Sequence, residues 1–317
     1  MFVRAPRLCA LVLLALVAAG CQPNPQQVSL KLPPRLSGAA DLRITEEPYE
    51  SQTAISRRME IVAAYLKEAT GLTVEYVPAI NYAHSHALLA RGMVDLITVG
   101  AYGGYQLMRA EPDAQPLLVQ KPSFRLVMLA NKRRAPELAQ LENRHALALL
   151  AGRRIGFGSR HSGSSYLQPL LAMQEHGVSL NLINTCWHEP VQPNLPVQVA
   201  DGTLDFAFIA SSNGDPFQGV AADLRNDVVV AWMSEPHRND YILARPDALD
   251  GARRQKLERV RQALLALDTF TAGDREVLAS WGYVGFEPPS PEFPQAFNQR
   301  VERLLAAPSA LPTCERW

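Results

Sequence analysis

The chain has 317 residues, 47% of them hydrophobic, and its 31 Lys and Arg residues balance 31 Asp and Glu residues. This balance excludes the strongly basic footprint of most nucleic-acid-binding proteins, and the length is enough for two domains of ordinary size. The apolar run at residues 8–19, 12 residues long, is too short to span a bilayer, which requires about 20.

The first twenty residues have the pattern of a secretory signal. Arg4 and Arg7 precede the apolar run, which ends in small residues. The ending Ala18-Ala19-Gly20-Cys21 resembles a bacterial lipobox, in which cleavage before the Cys is coupled to acylation of its sulfur; Ala18 stands where Leu is usual. The sequence therefore predicts a signal peptide at 1–20, an exported protein and a lipid anchor on Cys21. An ordinary secretory signal with an incidental Cys is the alternative.

Residues 21–39 are rich in Pro and Gln and lack a sustained apolar period. This composition predicts a tether between the lipid and the folded body. Gln22 is not the Asp associated with inner-membrane retention, so anchoring to the cell membrane and to the outer membrane both fit.

Two cysteines remain in the body if Cys21 is acylated. Cys186 and Cys314 are then the pair that could form an intrachain disulfide in an oxidising compartment. Two separate buried thiols are the alternative.

The body contains the same supersecondary unit twice. The first unit is predicted as a strand at 42–44, a helix that ends at Gly71, a strand at 73–77, a helix at 83–91 and a strand at 95–99. The second is predicted as a strand at 153–157, a helix that ends at Gly177, a strand at 180–183 and a strand at 205–209. Gly71 corresponds to Gly177 and Gly92 to Gly202, at offsets of 106 and 110 residues.

Alternating strands and helices predict an α/β fold of two lobes, each a mostly parallel sheet covered by helices on both faces. Ligands of such sheets bind beyond the carboxyl ends of the strands, so we expect a cleft between the lobes that closes by a hinge motion. A strand at 241–244 and helices at 255–266 and 292–305 are expected to return to the first lobe. The predicted lobes are 40–130 with 235–317, and 131–234; two sequential domains without a shared cleft are the alternative.

A serine-rich turn between a strand and an amphipathic helix is the strongest candidate for ligand binding. It contains Ser162, Gly163, Ser164 and Ser165. Small residues let a ligand approach the backbone, and the N–H groups and dipole of a helix N-terminus favour an anion. Arg160 is expected to add positive charge at this turn. Simple N-capping, for which one serine suffices, is the alternative.

The segment Ser162-Gly163-Ser164-Ser165-Tyr166-Leu167-x-Pro169 resembles the Ser-Thr-Ser-Gly-Tyr-Leu-x-Pro motif of phosphate, phosphite and phosphonate substrate-binding proteins of ABC transporters. The resemblance also covers Pro48–Ser51, Gly92-x-x-Asp95, Gly100–Tyr105 and Gly202-x-x-Asp205. It implies a type II periplasmic-binding-protein fold, a small anion held by the serine motif, permease and ATPase partners, no cofactor and a monomer. Gly163 stands where the family has Thr, which removes one hydroxyl donor, and Ser165 stands where the family has Gly.

Further cleft residues are expected where other strands end. The candidates are Glu50 and Ser51 after the first strand, Tyr102 after the strand at 95–99, and Ser211 after the strand at 205–209. Tyr102 is expected either to stack on the ligand or donate its hydroxyl, or to pack as a half-buried loop residue. Asp95 and Asp205 begin strands and are interpreted as turn or capping residues.

Neither metal binding nor catalysis is expected. His84 and His86 are two residues apart and point to different faces of a helix. His161 adjoins Ser162, but no Gly-x-Ser-x-Gly elbow occurs, so a serine hydrolase is a remote alternative. A sensory or scaffolding lipoprotein that keeps the binding fold without transport is the other alternative.

Overall fold

The computed structural model describes residues 40–180, 183, 186–189, 191–290, 292–306, 312 and 314–316. The predicted signal peptide, the tether and Cys21 lie outside these ranges. Within them, no helix combines the length and the apolar character that crossing a bilayer requires.

The strands are short and alternate with helices along most of the chain. The strands are β1 (Leu42–Glu46), β2 (Val74–Tyr76), β3 (Leu96–Gly100), β4 (Gln115–Gln120), β5 (Arg125–Asn131), β6 (Ile155–Phe157), β7 (Cys186–His188), β8 (Phe206–Ser211), β9 (Val228–Met233), β10 (Asp240–Ala244), β11 (Phe286–Glu287) and β12 (Glu315–Arg316). The helices are α1 (Gln52–Thr70), α2 (Tyr82–Ala90), α3 (Ala101–Ala110), α4 (Ala135–Leu138), α5 (Gln168–Glu175), α6 (Asn194–Ala200), α7 (Gly251–Ala266), α8 (Ala272–Trp281) and α9 (Glu292–Leu305). A π-helical turn, Gly163–Leu167, leads directly into α5.

In the described part of the chain these strands form two six-stranded sheets, β11-β4-β10-β3-β1-β2 and β12-β7-β6-β8-β5-β9. Each sheet with its helices is one lobe of the predicted two-lobed α/β fold. The sheets are mixed, because β10 runs antiparallel to β3 and β4, and β5 runs antiparallel to β8 and β9. The first sheet includes β10, from the second half of the sequence, and the second sheet includes β5, from the first half.

The order of the strands moves two of the predicted lobe boundaries. The predicted first boundary at residue 130 assigns β5 to the first lobe, but β5 pairs with β8 and β9 in the second sheet. The chain therefore first crosses between the lobes at residues 121–124. The C-terminal end was predicted to stay in the first lobe, whereas β12 pairs with β7 of the second.

Helix α1 illustrates how the sequence specifies an element locally. The Ser51 side chain accepts a hydrogen bond from the backbone N–H of Ala54, and Gly71 ends the helix in the left-handed conformation with φ of 71°. The predicted apolar face is buried against the first sheet together with α7 and α8. Its residues are Ile55, Met59, Val62 and Leu66.

The two predicted units share a left-handed glycine cap and an aspartate that binds a strand start. Gly177 has φ of 70°, close to that of Gly71. Asp95 accepts the backbone N–H of Arg43 at 2.7 Å, and Asp205 accepts the backbone N–H of Arg154 at 3.0 Å. Asp95 also binds the side chain of Arg253, and Asp205 binds that of Arg134. Both carboxylates therefore serve structural roles at the starts of strands, away from the carboxyl ends where ligands bind.

The strand predicted at 180–183 is wrong as placed. The strand beside β6 is β7, three residues later, and Cys186 within it forms a disulfide with Cys314 (S–S 2.04 Å). Helix α6 has only seven residues and contains Pro196, in keeping with the Pro-rich sequence before and within it. The disulfide between Cys186 and Cys314 joins the C-terminal segment covalently to the second lobe.

Candidate ligand-binding site

A cleft that is partly open to solvent lies between the lobes. Its walls include residues at the carboxyl ends of parallel strands, as expected for this fold, and residues at the beginning of antiparallel β10. The first lobe contributes Glu47, Tyr49, Glu50, Tyr82, Thr98, Val99, Gly100, Asn239, Asp240, Trp281 and Tyr283. The second lobe and the first crossing contribute Phe124, Ser162, Gly163, Ser164, Gln192, Pro193, Ile209, Ala210, Ser212, Gln218 and Gly219.

The lobes are in contact across this cleft. A Cβ atom added to Gly163 would lie 3.0 Å from the backbone nitrogen of Tyr102 and 3.3 Å from its Cβ. Glycine therefore lets the serine turn of the second lobe pack directly on the first turn of α3. The side chains of Tyr82, from the first lobe, and Ser162, from the second, both line the cleft.

The serines of the turn have different roles. The Ser162 hydroxyl accepts the backbone N–H of Ser165 at 3.1 Å and the Ser165 hydroxyl at 2.9 Å, so Ser162 caps the helix. Ser165 is buried behind the turn. Ser164 lines the cleft, and its Oγ lies 3.3 Å from Oγ of Ser162. The capping role thus falls on Ser162, which leaves Ser164 as the hydroxyl of the turn best placed for a ligand.

Of the other predicted residues, only Glu50 lines the cleft, and its carboxylate is ion-paired with Arg58. Ser51 is exposed and caps α1. Tyr102 stacks on Tyr105, with centroids 6.1 Å apart, and lines an outer groove beside α9.

Two further predicted residues, Ser211 and Arg160, are not among the residues that line the cleft. Ser211 is buried, and no hydrogen-bond partner for its hydroxyl is found among the described residues. The guanidinium of Arg160 donates to the carbonyl of Cys314 at 2.9 Å and so holds the C-terminal segment.

The sequence reasoning missed an acidic wall on the first lobe. The Glu47 carboxylate accepts the backbone N–H of Gly100 at 2.9 Å and pairs with His86 Nε2 at 2.8 Å. Asp240 accepts the hydroxyl of Tyr283 at 2.9 Å and Nδ2 of Asn239 at 2.6 Å. These groups converge beside Gly100, where an added Cβ would lie 3.6 Å from Asn239 Nδ2 and 3.7 Å from both Asp240 Oδ1 and Glu47 Oε2.

Burial raises the pKa of Asp240 to about 7, and the nearby carboxylates of Glu47 and Glu46 act in the same direction. Asp240 therefore changes its charge near neutral pH. Two like charges about 6 Å apart repel by about 3 kcal/mol at an effective dielectric constant of about 20. An anion placed against this wall would meet the same repulsion.

Two buried polar atoms of the same wall have no hydrogen-bond partner among the described residues. They are Oγ1 of Thr98 and Oδ1 of Asn239, in side chains that are buried. An unpaired buried polar atom costs about 1–3 kcal/mol, and such atoms call for a specific explanation in a folded protein. A bound solute with matching donors would supply one.

The histidines do not assemble into a metal centre. His86 pairs with Glu47, while Nδ1 of His84 accepts the backbone N–H of Ile80 at 3.1 Å. In the ranges that the structure covers, no three His, Cys, Asp or Glu side chains are grouped to hold a metal ion.

Part of the acidic wall had a signal in the sequence. Glu47 directly follows β1, which ends at Glu46. The predicted strand ended at Ile44, so Glu47 was not recognised as a residue at a strand end. No sequence pattern indicated Asn239 and Asp240 as cleft residues. Because β10 is antiparallel to β3, the beginning of β10 lies at the cleft and its end does not.

Comparison with known proteins adds independent support for the fold. A family described as periplasmic substrate-binding proteins of phosphonate ABC transporters matches residues 44–292. A probable phosphite-binding protein of an ABC transporter, PhnD1 of Prochlorococcus marinus (strain MIT 9301), is 26% identical over 150 residues. That match covers 46% of this chain and 50% of the relative, so it spans only half of the relative's length.

Solved structures of similar fold include PhnD1 from Prochlorococcus marinus in complex with methylphosphonate, with a TM-score of 0.73, 18% identity, and coverage of 83% of this chain and 98% of that one. A binding protein component of an ABC phosphonate transporter from Pseudomonas aeruginosa has a TM-score of 0.64 and 17% identity, with coverage of 82% and 87%. The aliphatic sulphonate binding protein SsuA of Escherichia coli has a TM-score of 0.56 and 17% identity, with coverage of 87% and 95%.

At these identities the solved structures establish the fold alone, and they confirm the type II periplasmic-binding-protein fold. The family match extends from β1 to the start of α9 and so includes both lobes and the cleft. This chain belongs to the phosphonate-binding family of periplasmic substrate-binding proteins of ABC transporters.

Proposed function

We propose that this protein captures a small solute bearing a phosphate- or phosphonate-type oxyanion in the interlobe cleft and delivers it to an ABC permease with its ATPase. The single observation that carries the proposal is the serine turn. Ser164 lines the cleft where the π-helical turn begins, and the capping hydrogen bonds are made by Ser162. Hydroxyl and backbone N–H donors at the start of a helix suit an oxyanion.

The proposal includes export and lipid anchoring at Cys21, with the folded body monomeric on the periplasmic side. It rests on the lipobox-like Ala18-Ala19-Gly20-Cys21 and on the family's description as periplasmic binding proteins. An anchored binding protein remains near the permease that it serves.

Ser164→Ala is expected to weaken oxyanion binding by about 10- to 150-fold, because a hydrogen bond to a charged group is worth about 1.5–3 kcal/mol. The melting temperature is first measured with inorganic phosphate, phosphite and methylphosphonate. The anion that raises it most is then used in a calorimetric titration, which gives the affinity. A denaturant melt of the same variant should be nearly unchanged, since Ser164 is not the cap.

Two variants of the same turn serve as controls. Ser162→Ala removes the cap and is expected to lower the free energy of unfolding by about 1 kcal/mol. Ser159→Ala alters a serine outside the cleft and should leave affinity unchanged. Unaltered oxyanion affinity in Ser164→Ala would remove the serine turn from the site.

Cys21→Ser is expected to abolish acylation and to release the protein from membranes, because the sulfur of Cys21 is the proposed attachment point. Metabolic labelling with an alkyne fatty acid, followed by membrane fractionation, measures both effects. Persistent label in the variant would show that acylation occurs elsewhere or that the segment is an ordinary secretory signal.

A further inference from the structure

The serine turn is attached to the C-terminal segment by a side chain that is not among those lining the cleft. Arg160 follows β6, and its guanidinium donates to the carbonyl of Cys314 at 2.9 Å. Cys314 comes directly before β12, and β7 lies between β12 and β6 in the sheet. The contact therefore joins the turn to a segment that is 154 positions away along the chain.

The carbonyl that receives this hydrogen bond is itself held on the second lobe. The disulfide fixes Cys314 covalently to Cys186 in β7. Directly after Cys314, β12 pairs with β7 over two residues. A strand pair of this length near a chain end opens readily, whereas the disulfide stays closed in the folded protein. The position of the Cys314 carbonyl is therefore expected to depend mainly on the disulfide.

The segment between β6 and the π-helical turn is short and rich in small residues, so its shape depends on a few hydrogen bonds. Nδ1 of His188 is bonded to the carbonyl of Gly158 at 2.8 Å, where the segment begins. Arg160, two residues later, adds the bond to Cys314. A binding loop that is ordered before the ligand arrives loses less conformational entropy on binding. The Arg160 contact should therefore raise the affinity for a ligand that Ser164 holds.

We propose that Arg160 and Cys314 are positioning residues for ligand binding. The disulfide fixes the carbonyl of Cys314, this carbonyl holds the guanidinium of Arg160, and Arg160 holds the serine turn in the shape that presents Ser164 to the oxyanion. This inference rests on the proposed function, since it assigns to a segment outside the cleft a part of the strength of oxyanion binding. The disulfide then contributes to affinity as well as to stability.

Arg160→Met is expected to weaken oxyanion binding by about 3- to 10-fold, and so is replacement of both Cys186 and Cys314 by Ala, because each change removes the same hydrogen bond. Calorimetric titration uses inorganic phosphate, phosphite or methylphosphonate, whichever raises the melting temperature most. It is done at a temperature where a denaturant melt shows every variant to be folded.

The triple variant, which combines these three replacements, distinguishes positioning from a direct effect of charge. It should bind no more than about twofold more weakly than either parent variant, since changes to residues that act through one shared contact are not additive. Losses that multiply would mean that Arg160 acts on the anion through its charge, independently of Cys314, and would overturn the inference.

Hydrogen exchange without ligand measures the turn directly. The backbone N–H groups of Ser162 and Ser165 are hydrogen-bonded within the turn, and they should exchange faster in Arg160→Met and in the double Cys variant than in the wild type. Arg153→Met, a change before the other end of β6 at a residue paired with Glu137, is the matched control and should alter neither exchange nor affinity.

The outcomes separate this inference from the proposed function. Unchanged affinity in Arg160→Met or in the double Cys variant overturns the inference and leaves the oxyanion proposal standing. Binding of no anion by the wild type overturns the oxyanion proposal, and hydrogen exchange then decides the inference. Faster exchange in both variants would support positioning of the turn by the C-terminal segment, and unchanged exchange would overturn it.

Discussion

Arg58→Met is expected to lower the free energy of unfolding by about 3–5 kcal/mol, the cost of breaking a buried ion pair by removing one partner. The Arg58 side chain is 6% exposed and is bonded to the carboxylates of Glu46 and Glu50 and to the carbonyl of Ser280. Met fills a similar apolar volume. The lost stability therefore mainly reflects the carboxylates of Glu46 and Glu50, which are left without their cation. Urea denaturation at pH 7.5 measures it.

The loss of unfolding free energy in Arg58→Met should become smaller as the pH is lowered. Burial raises the pKa of Glu46, so the folded variant takes up a proton at a higher pH than the unfolded chain does. A group with a raised folded pKa destabilises the fold above that pKa, and this penalty disappears as protonation proceeds at lower pH. Arg57→Met, an exposed change one residue away, is the matched control and should alter stability by less than about 0.5 kcal/mol. A loss below about 1 kcal/mol at pH 7.5 would mean that the pair is solvated.

Replacing both Cys186 and Cys314 by Ala is expected to lower the free energy of unfolding by about 2–4 kcal/mol. The bridge joins residues separated by 128 positions, and cross-linking a long segment restricts the unfolded chain. Among the described residues after α9, β12 pairs with β7 over two residues, and Arg160 donates to the carbonyl of Cys314.

Guanidinium denaturation with and without a reductant distinguishes the bridge from packing. Reductant should lower the stability of the wild type toward that of the double variant, and it should leave the double variant unchanged. Equal stability of oxidised wild type and double variant would contradict a stabilising disulfide.

The two lobes present different groups to the cleft. The second lobe offers hydroxyls and a helix N-terminus at Ser162–Ser164, and the first offers carboxylates around Gly100. An oxyanion would gain hydrogen bonds at the serine turn and meet repulsion from ionised carboxylates of the first lobe. Selectivity among oxyanions is therefore expected to depend on Glu47 and Asp240 at least as much as on the serines.

Local signals in the sequence predicted much of the fold correctly. Helix α1, the equivalence of Gly71 with Gly177 and the bounds of α9 follow from apolar period and left-handed glycine caps, which act within a few residues. The serine turn was found in the same way, because a strand, a run of small residues and an amphipathic helix follow one another along the chain. The roles of Ser162 and Ser164 were not separable, since capping and ligand contact use the same residue types.

Local patterns along the chain therefore specify the two repeated α/β units, their caps and the position of the serine turn. The return of β10 to the first lobe was also predicted, but its antiparallel direction, which brings Asn239 and Asp240 to the cleft, and the place of β5 in the second sheet, which moves the first lobe boundary, are seen only in the three-dimensional structure. These pairings join residues at least 76 positions apart (Ala130 with Phe206), and no local pattern encodes such pairing. The acidic wall is assembled from the ends of β1 and β3 and the beginning of β10, and its charge could be seen only once these edges lay side by side.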